Sequence, residues 1–307
     1  MTVQGWIDPG DLGVTDAHNH LWIDPPPGAP PTAPRLDDPI GIHKELSDYK
    51  ASGGGAIVDC QPGGCGRDGR VLKELSASSG VHVIASTGFH RRLYYPPGAW
   101  IFLASAEKAR DYFIHELQIG LAEAGGQAES IRAGVIKLAC EARLADTPQA
   151  LLEAAAQASR LTGVAIEVHT EQGSAAEDIL LYFQDHEVPP TRLVLCHVDK
   201  RPDPGLHRAL AGAGALLEYD TFYRAKYAPE INLWPLLEGM VQHGWASQIA
   251  LATDMADPGM WTRLGGGPGL TGFARGIRDR LYALGLGAAI DQLIGGNIAG
   301  RLTRPVS

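Results

Sequence analysis

The sequence predicts an α/β fold in which eight parallel strands and the helices between them close into a (β/α)8 TIM barrel. Eight short apolar segments, each bounded by glycine or polar residues, alternate with longer segments of helical spacing. Near-continuous apolar strands separated by helices are typical of a parallel sheet buried on both faces. No linker, low-complexity tract or change in composition divides the chain, so we expect residues 1–307 to form one domain.

The predicted strands are rich in Val, Ile, Leu and Ala, and they occupy residues 13–21, 53–61, 81–89, 133–140, 164–170, 192–199, 214–221 and 249–255. The clearest helix lies between the fourth and fifth strands, with Thr147 as its N-cap, Pro148 at its first position and Gly163 after its end. A doubly wound open sheet is the alternative architecture, but no G-x-G-x-x-G follows the first strand. We therefore favour the barrel.

Composition excludes several classes of protein. The formal net charge of −9 and the lack of a basic block argue against nucleic acid as a partner. No apolar stretch approaches the roughly 20 residues of a membrane span, and the N-terminus lacks the pattern of a signal peptide. Cys60, Cys140 and Cys196 lie in or at the end of apolar runs and Cys65 lies in a glycine-rich loop, without a C-x-x-C pair. We expect a cytoplasmic protein with core cysteines and a small-molecule substrate.

Ionisable residues recur where the predicted strands end. His18 and His20 occupy alternate positions of the first strand, so both side chains should project from the same face. Further candidates occur late in four other strands: Lys137, His169, His197 and Asp254 end the fourth, fifth, sixth and eighth strands, with Lys137 slightly before the end. Parallel barrel strands end at one mouth, where barrel enzymes hold their catalytic groups. The six side chains are therefore expected to converge.

Each of these residues alone has an ordinary explanation. A single histidine at a strand end can be a hydrogen-bonded wall residue, Lys137 can be an ion-pair partner, and Asp254 can cap the next helix. All six together would be a costly way to line a core, because unpaired buried polar groups destabilise it. A shared metal removes that cost, and histidine with carboxylate is a common ligand combination.

The order of these residues resembles the amidohydrolase superfamily and, within it, the phosphotriesterase family. The similarity extends over nearly the whole chain, through the segments TDAHNHL, GGGAIVDCQPGGCGRD, VHVIASTGFH, AGVIKLACE, VHTEQG, LVLCHVD, LATDMADPGMW and GGGPGL. Asn19 departs from the acidic residue frequent between the two histidines, and His90 stands where tyrosine is frequent. Arg67 and Asp68 match a family pattern that we interpret as structural, with Asp68 capping the next helix.

The resemblance implies a binuclear metal site. His18, His20 and Asp254 would hold one divalent ion and His169 and His197 the other, with a carbamate on Lys137 bridging them. Burial beside cations should disfavour the ammonium form of Lys137, and only a neutral amine adds carbon dioxide. The family's chemistry is hydrolysis by a metal-bridging hydroxide, with Asp254 carrying the proton to the leaving group. Zinc is the first expectation, and manganese, cobalt and iron stay open.

The loops after the third, seventh and eighth strands, residues 90–102, 222–229 and 256–275, should decide the substrate. Arg224, Lys226 and Arg263 either form a cationic rim for a phosphate or are ordinary solvated charges. This region is similar to relatives that act on phosphorylated sugar lactones.

Aromatic residues of the first of these loops could also meet the substrate. Tyr94, Tyr95 and Trp100 either line a hydrophobic pocket or pack the loop onto the barrel, and His90 either contacts substrate or bonds its loop. We expect a metal-dependent lactonase for phosphorylated sugar lactones. The alternatives are a phosphotriesterase or a lactonase for apolar or acyl-homoserine lactones, and a metal-containing binding protein without catalysis. A homodimer is plausible from the resemblance.

Overall fold

A computed structural model describes residues 1–125 and 131–303. Eight strands form one parallel sheet in the order of the sequence. They are β1 Val14–Asn19, β2 Gly54–Asp59, β3 His82–Gly88, β4 Val135–Ala139, β5 Ile166–His169, β6 Leu193–Cys196, β7 Leu216–Tyr219 and β8 Ile249–Leu251. The Asp254 N–H donates to the His18 carbonyl oxygen at 2.9 Å, which joins the last strand's end to the first. The predicted (β/α)8 barrel is confirmed.

Helices cover the outside of the sheet and bury their apolar faces against it. In the described residues they are α1 Pro39–Ala51, α2 Gly69–Ser79, α3 Ala106–Gln118, α4 Gln149–Thr162, α5 Ala176–Asp185, α6 Pro204–Ala213, α7 Leu233–Gln242, α8 Arg278–Ala283 and α9 Asn297–Leu302. No helix in the described ranges is long and apolar enough to cross a lipid bilayer.

Of the two helix caps predicted from the sequence, one is present in the structure and one is not. Asp68 accepts hydrogen bonds from the backbone N–H groups of Arg70 and Val71 and so caps α2, as expected. Thr147 does not cap α4, because its hydroxyl accepts the N–H of Glu141 instead. Helix α4 begins after Pro148 without a side-chain cap, and Gly163 ends it in the left-handed conformation.

A buried ion pair anchors the segment after β2. The Arg67 guanidinium is fully buried and lies 2.5 Å from Glu116 and 2.6 Å from Glu123. It also donates to the carbonyl oxygen of Ser86 on β3 at 2.5 Å. These contacts connect the β2–α2 loop to β3 and α3, which supports the structural interpretation of Arg67. All four cysteines are free and buried: Cys60, Cys140 and Cys196 as expected, and Cys65 although it lies in the glycine-rich loop.

Candidate metal centre

The carboxyl ends of the strands bring five of the six predicted metal ligands, all except Lys137, into the lining of one cavity of about 180 Å³, and Lys137 contacts one of them, His18. The His18 Nε2 atom lies 3.0 Å from the Lys137 Nζ atom, and the His20 Nε2 atom lies 3.5 Å from the Asp254 Oδ1 atom. The His197 ring contacts both the His18 ring and the His169 ring, with centroid distances of 4.8 Å and 4.6 Å. Residues from five strands thus form one cluster.

Three of the imidazoles are held by their Nδ1 atoms. The Nδ1 atom of His18 lies 3.1 Å from the Glu218 carboxylate, and that of His20 lies 2.8 Å from the Gln61 amide oxygen. The Nδ1 atom of His197 bonds the Asp220 carboxylate. An oxygen acceptor at Nδ1 places the ring proton there and leaves the Nε2 lone pair free, which is the usual arrangement of a metal-binding histidine.

His169 supplies a buried nitrogen without a hydrogen bond. Its Nε2 atom has no hydrogen-bond partner among the described residues and lies 3.5 Å from the Glu171 carboxylate. A buried polar atom without a partner costs about 1–3 kcal/mol. A metal ligand bond would remove that cost, so the residue types and their orientation fit a metal.

Burial also sets the protonation of these rings. Burial lowers the pKa of His18, His169 and His197, and Lys137 adds to the effect on each of them. Groups with depressed pKa values are neutral at pH 7, and a neutral imidazole is the form that binds a metal.

Lys137 departs from the sequence-based expectation that its ammonium form is disfavoured. Burial does lower its pKa, but four acidic groups beneath it, Cys60, Cys196, Glu167 and Glu218, outweigh burial and raise the pKa. The expectation took into account the effect of bound metals on the pKa of Lys137 but not the effect of these four acidic groups. The neutral amine that carbamylation requires therefore depends on positive charge brought close to Nζ.

Asp254 occupies a strained and highly charged position. Its φ of 48° lies in the left-handed region, as does that of His197 at 64°, and such backbone strain clusters at functional sites. The Arg224 Nη2 atom lies 3.0 Å from its Oδ2 atom. Burial alone would raise the pKa of Asp254, but Arg224, His20 and the other histidines lower it well below its usual value. The carboxylate is therefore ionised and held at the centre.

The three predicted substrate cations lie in different places. Arg224 lines the cavity. Lys226 is exposed, with its Nζ atom 5.0 Å from the Tyr227 ring centroid. Arg263 lies outside the cavity lining, where its guanidinium bonds Asp48 of α1 at 2.6 Å. The structure thus brings Arg224, but not Lys226 or Arg263, to the candidate metal ligands.

Of the aromatic residues in the loop after β3, some line the cavity and others pack the loop against the barrel. His90 and Tyr94 line the cavity, and their rings lie 4.6 Å apart. The hydroxyl of Tyr95 accepts the His90 N–H at 3.1 Å, and its buried ring packs edge-on against Phe102. Trp100 packs against Tyr112 on α3. Tyr95 and Trp100 therefore fasten the loop, whereas Tyr94 faces the cavity.

Sequence reasoning missed the residues that hold the imidazoles: Gln61, Glu218 and Asp220. A signal for two of them was present, because Glu218 and Asp220 alternate along β7 as His18 and His20 alternate along β1. Asn19 points away from the centre, as its place in β1 implies, and its amide donates to Asp16 at 2.8 Å.

Comparisons with known proteins agree with this geometry. The family model described as the phosphotriesterase family matches residues 1–267. A phospho-furanose lactonase of Mycoplasmopsis synoviae is 29% identical over 270 residues, covering 82% of this chain and 75% of that protein. An N-acetyltaurine hydrolase of Bos taurus is 27% identical over 311 residues, covering 87% and 86%. The fold also matches the crystal structure of a lactonase from Listeria monocytogenes, with a TM-score of 0.90, 23% identity and 99% coverage of both chains. The chain therefore belongs to the phosphotriesterase family of hydrolases.

Proposed function

We propose that this protein is a divalent-metal-dependent lactonase whose favoured substrates are phosphorylated sugar lactones. The observation that carries the proposal is the set of three imidazoles held at Nδ1, of which His18 and His20 bring their Nε2 atoms to 3.9 and 3.5 Å from the Asp254 carboxylate. His18, His20 and Asp254 would hold one ion, and His169 and His197 the other. A carbamate on Lys137 would lie between them. Zinc suits these ligands best, and manganese, cobalt or iron would also fit.

Two bound divalent ions would supply Lewis-acid activation of water and of the substrate carbonyl. Hydrolysis of a lactone adds the water oxygen to the carbonyl carbon and breaks the ring C–O bond. Asp254 is ionised and faces the cavity, so it can accept the proton from water and pass it to the departing ring oxygen. Arg224 holds that carboxylate in place through its 3.0 Å contact.

The substrate class is supported by the cavity and by one charge in it. A volume of about 180 Å³ lies below the roughly 300–1,000 Å³ typical of drug-sized ligand pockets, which favours a compact lactone over a bulky triester. Arg224 is a planar cation at the cavity wall and can form paired hydrogen bonds with a phosphate. The similarity to a phospho-furanose lactonase points in the same direction.

A second candidate is a lactonase for apolar lactones. The cavity lining also contains Ile23, Ala33, Pro34 and Tyr94. An acyl chain or an unsubstituted ring would bury apolar surface there. A metal-containing binding protein without catalysis is less compatible with Asp254, which keeps an ionised carboxylate within 3.5 Å of a free His20 nitrogen.

A pH-indicator assay separates these candidates. Protein loaded with zinc or manganese is given a five-carbon sugar γ-lactone with and without its 5-phosphate. We expect kcat/KM to be at least tenfold higher for the phosphorylated lactone, about 1.4 kcal/mol of transition-state discrimination. Equal or reversed values would reject the phosphate preference and favour apolar lactones, and binding without turnover of any lactone would reject the lactonase proposal itself.

A further inference from the structure

A layer of acids and thiols fills the barrel directly beneath the candidate metal centre. Glu167 of β5, Cys196 of β6 and Glu218 of β7 are all fully buried, as is Cys60 after β2. Interior layers of such barrels are ordinarily built from bulky apolar residues such as Val, Ile and Leu. Burying two carboxyl groups in their place is expensive unless they are paired.

Three donor atoms of this layer lie close together and next to a ring nitrogen of His18. A ring nitrogen of His18, the Cys196 sulfur and one carboxylate oxygen each from Glu167 and Glu218 all lie within 4.8 Å of one another. The Nδ1 atom of His18 faces this layer, since it lies 3.1 Å from Glu218, whereas its Nε2 atom faces Lys137 at 3.0 Å. Because His18 donates its Nδ1 proton to Glu218, the donors left for an ion in this layer are Cys196, Glu167 and Glu218.

The layer also contains carboxylate oxygens without hydrogen bonds. The Oε1 atom of Glu167 is buried and has no hydrogen-bond partner among the described residues. The Oε1 atom of Glu218 also has no assigned hydrogen bond, but it lies 3.1 Å from the His18 Nδ1 atom. The second oxygen of Glu167 accepts the Cys60 thiol at 2.8 Å. The hydrogen bonds of the neighbouring Lys137 Nζ atom go to His18, at 3.0 and 3.4 Å. The unpartnered oxygen of Glu167 thus points to a partner that is missing from the layer.

We propose that this layer binds a further divalent cation through Cys196, Glu167 and Glu218, while His18 keeps its Nδ1 proton on Glu218. One thiolate sulfur and two carboxylate oxygens are donors that zinc and cobalt accept. Binding releases the thiol proton of Cys196 and any proton held by the two carboxyl groups to solvent, as metal binding to protonated ligands requires. The site is separate from the proposed pair of ions, whose ligands include no sulfur.

Cobalt(II) absorption tests the proposal on the intact protein. Protein stripped with a chelator is reloaded with cobalt(II), and its near-ultraviolet spectrum and cobalt content per chain are measured. Because only a thiolate ligand gives the intense sulfur-to-cobalt charge-transfer band, the wild-type protein is expected to show that band. Cys196→Ala should abolish it and lower the cobalt content by one per chain. Cys140→Ala, which removes a buried thiol at the end of β4, and Cys65→Ala, which removes one beside the cavity, should leave the band intact.

The outcomes separate this site from the lactonase proposal. A wild-type protein that binds cobalt without the band overturns the interior site and leaves the pair of ions untouched. A band that survives Cys196→Ala overturns the assignment of the ligand. If that variant does not fold, Glu167→Gln must lower the cobalt content by one per chain, and an unchanged content contradicts the proposal. Absence of lactone turnover in a protein that shows the band would reject the lactonase alone.

Discussion

Asp220→Asn tests whether the contacts at Nδ1 determine metal binding. Asp220 accepts the Nδ1 proton of His197 and thereby leaves Nε2 free for a metal. An asparagine at this position keeps the size of the side chain but loses the charge. Its amide can also turn and donate to Nδ1, which would move the ring proton to Nε2 and block the metal-binding nitrogen.

The expected loss follows from the lost hydrogen bond. A hydrogen bond to a charged group contributes about 1.5–3 kcal/mol. Each factor of ten in affinity corresponds to about 1.4 kcal/mol. Asp220→Asn should therefore weaken zinc binding about 10- to 100-fold, the range found when partners of metal-binding histidines are replaced.

Competition with a chromophoric chelator measures this change in zinc affinity. The control is Asp203→Asn, which replaces the exposed carboxylate that caps α6. Urea unfolding of the metal-free proteins shows whether either variant has lost its fold, since Asp220 also lies 3.8 Å from the Lys200 Nζ atom. Zinc affinity within threefold of wild type in folded Asp220→Asn would refute the role of this contact.

Three further changes have defined outcomes. Asp254→Asn should leave zinc bound but lower kcat by about 10²–10⁴-fold, because the amide cannot accept a proton. The turnover rate at saturating substrate measures this loss. Arg224→Met should lower the kcat/KM ratio of phosphorylated to unphosphorylated lactone about tenfold or more, whereas Lys226→Met, a change at an exposed lysine, should not. Burial lowers the pKa of His207, whose ring bonds Tyr219, so its neutral form stabilises the fold above about pH 6.5 and that stability is lost as the pH falls. His207→Gln should therefore flatten the fall in unfolding free energy between pH 6.5 and 5 by up to about 1.4 kcal/mol per pH unit, measured in urea, and parallel pH profiles would contradict this.

The barrel and the convergence of the six candidate ligands could be predicted because they depend on local periodicity. Alternation along β1 places His18 and His20 on one face, and the common direction of parallel strands brings His169 and His197 to the same mouth. These inferences need no knowledge of how distant segments pack.

The substrate contacts and the residues that surround the candidate ligands depend on how distant segments pack. Arg263 bonds Asp48, a partner 215 positions away in the sequence, and nothing in the loop sequence indicates that the side chain turns toward α1. The choice between Tyr94 and Tyr95 depends on the path of one loop. The carboxyl groups beneath Lys137 could have been noticed as inward-facing positions of β5 and β7, but their effect on its pKa requires the distances.

The metal dependence of lactone hydrolysis is the most direct test of the proposed metal centre. The protein is stripped with a chelator, and hydrolysis of a five-carbon sugar lactone 5-phosphate is followed as zinc or manganese is added back. We expect no turnover above the spontaneous rate in the stripped protein, full recovery on reloading, and no recovery in a His169→Ala/His197→Ala double variant that remains folded. Lactone hydrolysis that persists in the stripped protein or in the folded double variant would contradict metal dependence.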